Sequence, residues 1–325
     1  MTRQVFFRGK AQRLSAVLVL MAAACTGSNA LANASCADLA RQALEQSATP
    51  SAHVAALVRE VPVDTPRSLD LRRCQVRLLF REWQLRRADR AAPPGEADVP
   101  VLEAMFQAFA FWQVHVALGD AHSTAGRHDE AAERYGLALA AIDDDMLTPE
   151  IVPAEQIEAL FQKAQQSNLL AQRHVPVPRR RSDGSTSGLL ALGIRGYKVP
   201  SVALPIRFDF DSATLTADGR ASADELFETL AREKPAQITL AGHTDRTGDA
   251  EYNRRLSLRR AEALRDYLRA RGLPEPAQGY RLLGLGKDCP FRFSAGEPTD
   301  QALVDQANRR VQYLRRSPPT DAGCP

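Results

Sequence analysis

The feature that most constrains this chain is a change of hydrophobic period across residues 175–188. There the run VPVPRRRSDGSTSG combines alternating prolines, three arginines and a Gly/Ser tract. That composition favours an extended and then flexible linker over any packed element. Before it, apolar residues recur at helical spacing; after it, short apolar runs of strand character alternate with helical ones. One repeated architecture cannot satisfy both halves, so the 325 residues are read as two folded regions, 33–174 and 189–316, joined by that linker. The triple arginine Arg179-Arg180-Arg181 reads as a solvated charge run, with an anionic surface as the alternative contact.

Residues 33–174 are rich in alanine and leucine, and punctuated by Pro50, Pro62, Pro66, the Pro93-Pro94-Gly95 break and Pro149, which predicts a helical domain. Helices are expected over 101–116 and 155–172. Between them Leu118-Gly119, Gly126, Ala131, Tyr135 and Ala138 fall where small residues let two antiparallel helices approach and an aromatic fills the gap. This pattern resembles one tetratricopeptide repeat, although His122 and Asp143 depart from it. A plain helical bundle remains the alternative. Trp83, Trp112, Phe106, Phe109 and Phe111 are read as core rather than as a binding stripe.

Arg3, Arg8, Lys10 and Arg13 precede an apolar run, LSAVLVLMAAA, and Ala30-Leu31-Ala32 offers a cleavage site. Residues 1–32 are therefore read as a signal peptide, with the mature chain starting near Asn33. Cys25 after three alanines is a partial lipobox, so lipidation there is a second route to the envelope. Either route leaves Cys36, Cys74, Cys289 and Cys324, an even set suited to an oxidising compartment, with Cys36–Cys74 and Cys289–Cys324 as the local pairs. A periplasmic location follows, with outer-membrane association open. With 42 basic against 39 acidic residues, the chain is no electrostatic trap for nucleic acid.

Past the linker, strand character is expected over 201–210, helix over 217–233, strand over 237–242, an amphipathic helix over 253–271, a strand over 281–285, a short helix over 299–307 and a last strand over 309–314. Such alternation predicts an α/β sandwich of βαβαβ type with helices packed on one sheet. A tail, 317–325, carries Cys324.

Four blocks in this half stand in order: Phe208-Asp209-Phe210-Asp211-Ser212-Ala213; Gly242-His243-Thr244-Asp245-Arg246-Thr247-Gly248; Asn253, Leu256, Ser257, Arg260 and Ala261; and Asn308-Arg309-Arg310-Val311. Together they closely resemble the OmpA-like peptidoglycan-binding domain. The resemblance implies a non-covalent peptidoglycan ligand, with Asp245 and Arg260 holding the zwitterionic end of a diaminopimelate side chain. It also implies a pocket lined by Asp211, Thr244, Asn253, Leu256 and Arg309.

The residues carry a physical reading of their own. Asp245 leaves a strand end, where ligands sit in open α/β sheets. Asn253 and Arg260 lie two turns apart on one helix face. A carboxylate and a guanidinium converging there suit a group with an ammonium and a carboxylate on one carbon. By spacing alone an Asp245–Arg260 structural ion pair is the simpler outcome. Asp209 and Asp211, at i and i+2 on one strand, would share a face and could be read as paired carboxylates of a wall hydrolase, with His243 beside Asp245. No metal-ligand spacing, phosphate loop or nucleophile elbow accompanies them, so the expectation is a binding protein without cofactor or metal, and His243 a structural histidine. The helical region is expected to meet a protein partner of the envelope. A scaffold whose α/β module no longer binds wall is the competing reading.

Overall fold

The computed structural model describes residues 66–87, 92–176, 193–194, 197–199, 201–293, 300–315 and Cys324. The signal segment, Cys25, Cys36, the triple arginine and all of the expected linker after Pro176 lie outside the described residues. The described residues fall into two compact units: residues 66–87 with 107–109, and the remainder from 92–106 and 110 onward.

In the first unit, helix α1 (Pro66–Arg87) starts on a proline whose missing N–H costs nothing there and ends on Arg86 and Arg87, which oppose the helix dipole. Arg73 lies 5.6 Å from the Phe109 ring centroid. Cys74 is buried and disulfide-bonded. Its expected partner, Cys36, is not among the described residues.

The second unit holds helix α2 (Val99–Ala108) as far as Phe106, and helices α3 (Trp112–Thr124), α4 (His128–Ile142) and α5 (Ala154–Leu170). The expected single helix 101–116 is instead broken, because Phe111 adopts an extended conformation, φ −80° and ψ 130°. On one continuous helix Phe111 would point away from the face shared by Phe109 and Trp112; with the break all three are buried. Gly119 of α3 lies flat against Tyr135 of α4, where a Cβ would stand 2.5 Å from the ring. The Tyr135 hydroxyl donates to Asp120 at 2.6 Å, and Lys163 of α5 pairs with the same oxygen at 2.6 Å, tying three helices at one point.

A small antiparallel hairpin of β1 (Gly193–Ile194) and β2 (Tyr197–Lys198) precedes the main sheet; the sequence reading did not foresee it. The α/β module then runs β3 (Ser201–Leu204), α6 (Ala217–Glu233), β4 (Ile238–His243), α7 (Ala250–Ala270), β5 (Tyr280–Gly286), α8 (Gln301–Asn308) and β6 (Val311–Leu314). Strand order is β3-β6-β4-β5, with β4 parallel to β5 and both β3 and β4 antiparallel to β6. The last strand thus enters between the first and the second.

Every residue of β4 is buried, as a central strand demands. Leu226 and Leu230 of α6 and Leu264 and Leu268 of α7 are at most 1% exposed, each contributing roughly 1.5–3 kcal/mol of burial. Helix α7 crosses so close to β4 that a Cβ on Gly242 would lie 2.0 Å from the Ser257 carbonyl oxygen. Leu256, Arg260, Leu264 and Leu268 form one stripe on α7, all buried. A cation therefore occupies a place that the amphipathic pattern reserves for core.

Helix α5 packs directly on this module. Leu169 and Leu170 cluster with Ala203 and Ala307, and the Ala203 N–H on edge strand β3 donates to the Gln165 side chain at 2.7 Å. The last carbonyls of a helix lack internal partners. Here Gln306 donates to Leu169 O at 2.9 Å and Ala171 O at 2.8 Å, and Arg207 donates to Ala171 O and Gln172 O.

Candidate functional site

Strand β3 stops at Leu204, short of the expected 201–210. Residues 205–216 form a tight loop pinned by a Phe208–Leu215 bridge, by Asp209 N–H to Thr214 O at 2.9 Å and by Ser212 N–H to Asp209 O at 3.2 Å. Asp211 turns the chain with a left-handed φ of 51°, a conformation that a short polar side chain tolerates. Asp209 and Asp211 therefore do not share a strand face, which removes the geometry on which a paired-carboxylate reading rests. Asp211 instead accepts a 2.6 Å hydrogen bond from the Tyr252 hydroxyl on α7.

The end of β4 supplies the second wall. Thr244 N–H donates to Gly286 O at 2.9 Å, carrying the pairing with β5 one residue past the strand. Asp245 then closes a turn by accepting from Thr247 N–H at 3.0 Å through one oxygen, the local bond that aspartate makes at such turns. Its other oxygen accepts from Arg309 at 3.0 Å. Asn253 is buried and donates to Thr247 O at 2.8 Å, so its amide holds the turn. Asp249 caps α7 by accepting from Tyr252 N–H at 2.8 Å.

Arg260 stands between these walls. Its Nε donates to Ser212 O at 3.0 Å and its guanidinium lies 5.2 Å from the Phe208 ring centroid. Only 5% of the residue is exposed. Burial, and then the neighbouring Arg309 charge, lower its pKa, against the opposing pull of Asp245 and Asp211. Its terminal nitrogens donate to no oxygen among the described residues. Leu256 sits one turn earlier on the same stripe.

Arg260 and Arg309 open into a cavity of about 250 Å³ whose other lining residues are Leu169, Gln172, Pro205, Arg207, Phe208, Thr216 and Gln306. Of the seven sequence-predicted ligand residues, these two arginines line the cavity. Asp245 reaches it through its pair with Arg309, and Asp211 acts on Arg260 electrostatically. Thr244, Asn253 and Leu256 build the supporting turn and helix. Sequence reasoning missed Tyr252, the Phe208 platform under Arg260, and Gln306. Phe208 stood in a recognised block, whereas the Tyr252–Asp211 contact spans 41 residues and leaves no local signal.

His243 is fully buried with Nδ1 3.1 Å from Cys289 O. Burial, aided by Arg310, holds its pKa well below the usual histidine value. It faces neither Asp245 nor solvent, so it serves the packing of the strand end. The Cys289–Cys324 pair forms a disulfide with Cα atoms 5.2 Å apart. No group of three His, Cys, Asp or Glu side chains among the described residues is arranged to hold a metal ion, and no described helix is long and apolar enough to cross a membrane.

Residues 207–301 match the OmpA family. Among curated proteins, outer membrane protein A of Shigella flexneri is 32% identical over 152 residues, 39% of this chain and 43% of that protein. The peptidoglycan-associated lipoprotein of Rhizobium meliloti is 42% identical over 85 residues, 26% of this chain and 47% of that one. The chain thus matches less than half the length of either relative. Among solved structures, the peptidoglycan-associated lipoprotein from Burkholderia pseudomallei is 29% identical over 36% of this chain and 89% of its own, with a TM-score of 0.28. Behind its helical region, this chain carries an OmpA family domain at residues 207–301.

Proposed function

We propose that the α/β module binds the stem peptide of peptidoglycan without covalent chemistry, and so anchors an envelope protein to the cell wall. The observation that carries this reading is Arg260: a buried residue whose guanidinium is oriented by Ser212 O and Phe208 and lines the cavity beside Arg309, with terminal nitrogens that donate to no oxygen among the described residues. Held in place and facing the cavity, the guanidinium can take an incoming carboxylate in a bidentate, charge-assisted pair. Asp245, fixed at 3.0 Å from both Thr247 N–H and Arg309, is the acceptor for an ammonium. Diaminopimelate presents both groups on one carbon at its free end. A lysine-type stem presents the ammonium alone and would leave Arg260 unanswered.

The relatives' names supply the same direction, since two of the curated proteins matched are called peptidoglycan-associated lipoproteins. A periplasmic or outer-membrane-associated location, a protein partner on the helical region and the absence of catalysis belong to the same proposal.

Sedimentation with purified sacculi tests it. Wild-type protein is expected to pellet with diaminopimelate-type wall and to stay in solution with lysine-type wall. The Asp245→Ala, Arg260→Ala double variant is expected to stay in solution with both, and no muropeptide is expected to be released. Equal pelleting of wild type and double variant, or turnover of the wall, would reject it.

A further inference from the structure

We propose that the end of helix α5 is a working wall of the ligand pocket, and that Leu169 and Gln172 form with Pro205 and Phe208 a second subsite for the methylene arm and first peptide amide of the bound stem. This rests on the stem-peptide reading and deepens it. Leu169 and Gln172 precede the segment 207–301 that matches the OmpA family, so this wall belongs to the chain's own helical region.

Size comes first. A cavity of about 250 Å³ is far larger than one carboxylate needs. Asp245 does not line it, so the ammonium stays at the rim and the remaining volume lies on the carboxylate side of the clamp.

Charge comes second. Arg207 is balanced by Asp218 at 3.1 Å and Arg309 by Asp245 at 3.0 Å; Arg260 has no hydrogen-bonded counter-ion among the described residues. One anionic group satisfies the cavity, and what fills the rest is neutral. Leu169, Pro205 and Phe208 offer apolar surface suited to methylenes. Gln306 spends its amide donors on Leu169 O and Ala171 O, whereas among the described residues the Gln172 side-chain amide makes only a 3.5 Å contact with Leu170 O and is available to a peptide group.

Rigidity comes third. The carbonyls of residues 169, 171 and 172 are held by Gln306 and Arg207, so this wall is set before any ligand arrives and its ordering is not charged against affinity.

Calorimetric titration of the full chain with free meso-diaminopimelate and with the tripeptide L-Ala-γ-D-Glu-meso-diaminopimelate tests the subsite. Wild type is expected to bind the tripeptide more tightly than the free amino acid. Gln172→Ala is expected to weaken the tripeptide about 3- to 10-fold, the worth of one hydrogen bond, with free diaminopimelate unchanged. Gln172→Trp, which fills the space, is expected to weaken the tripeptide further. If both variants bind both ligands like wild type, or if Gln172→Trp loses both equally, the second subsite is refuted while the wall-binding reading stands. If wild type binds neither ligand, the wall-binding reading itself falls.

Discussion

The Asp245 carboxylate is paired with Arg309, Oδ2 to Nη1 at 3.0 Å, and not with Arg260. The two arginines differ: the half-exposed Arg309 holds Asp245 in place, while the terminal nitrogens of the buried Arg260 donate to no oxygen among the described residues. Replacing Arg309 by Ala should therefore cost less than about 1 kcal/mol of stability, as for other partly exposed pairs. It should weaken diaminopimelate binding about 3- to 10-fold by releasing Asp245 from its position. Denaturant unfolding and calorimetric titration read the two effects separately.

Tyr252 and Asp211 make the corresponding contact across the loop, at 2.6 Å. Tyr252→Phe removes one exposed hydrogen bond and is expected to leave the midpoint of unfolding almost unchanged. Because Asp211 then loses the contact that fixes its carboxylate near Arg260, ligand affinity should fall by a few-fold. An affinity equal to wild type would show that Asp211 is held by its backbone turn alone.

Gly242 allows α7 to lie against β4, and a Cβ there would stand 2.0 Å from Ser257 O. A backbone atom cannot swing aside as a flexible side chain does. Gly242→Ala is expected to destabilise the module by about 1–3 kcal/mol or more and to abolish ligand binding, because Arg260 rides on the displaced helix. Thermal unfolding followed by circular dichroism should show the loss directly.

His115 is buried on α3, and its pKa is pulled down to about 4 by burial and then by Arg134. A histidine whose folded pKa lies below its unfolded value of 6.5 stabilises the fold in full above that value, and loses the contribution as pH falls through it toward 4. The difference between pH 7 and pH 4 is on the order of 3 kcal/mol. His115→Gln should flatten this part of the stability profile relative to wild type when denaturant midpoints are compared at pH 7 and pH 5.

The Cys289–Cys324 disulfide closes a span of 35 residues, for which chain entropy gives at most roughly 3–4 kcal/mol. Cys324→Ser should lower stability by up to that amount. Its binding of free diaminopimelate should match wild type, since neither cysteine lines the cavity. A large change in affinity would show that the bridged tail acts on the pocket.

Most of the elements of the α/β module were legible in the sequence, because their signals are local. Helix α6 occupies the expected residues 217–233, and α7, β4 and β5 differ from expectation by a few residues at most. The period of the apolar residues is a local signal; the caps Thr216 and Asp249 fix where the helices start, and the expected start at Asn253 missed the cap at Asp249. The expected strand 201–210 failed where periodicity is a poor guide: after Leu204, hydrogen bonds within the loop replace those of the sheet. The helix expected over 101–116 failed at Phe111, which a continuous helix would turn away from Phe109 and Trp112 and which is buried in an extended conformation instead.

For the candidate site, the sequence by itself offered the residues, Asp211, Asp245, Arg260 and Arg309 among them, because four ordered motif blocks resemble one family's pattern. Tertiary structure alone decided how they are connected. The insertion of β6 between β3 and β4 places the Asn308-Arg309-Arg310 turn beside the end of β4, 64 residues back from Arg309, where Arg309 takes Asp245. The seating of α5 on β3 and α8 brings Leu169 and Gln172 to a cavity formed otherwise by residues 205–309. Neither relation has a local signature, since each depends on pairing and packing between segments whose separation along the chain says nothing of their distance in space.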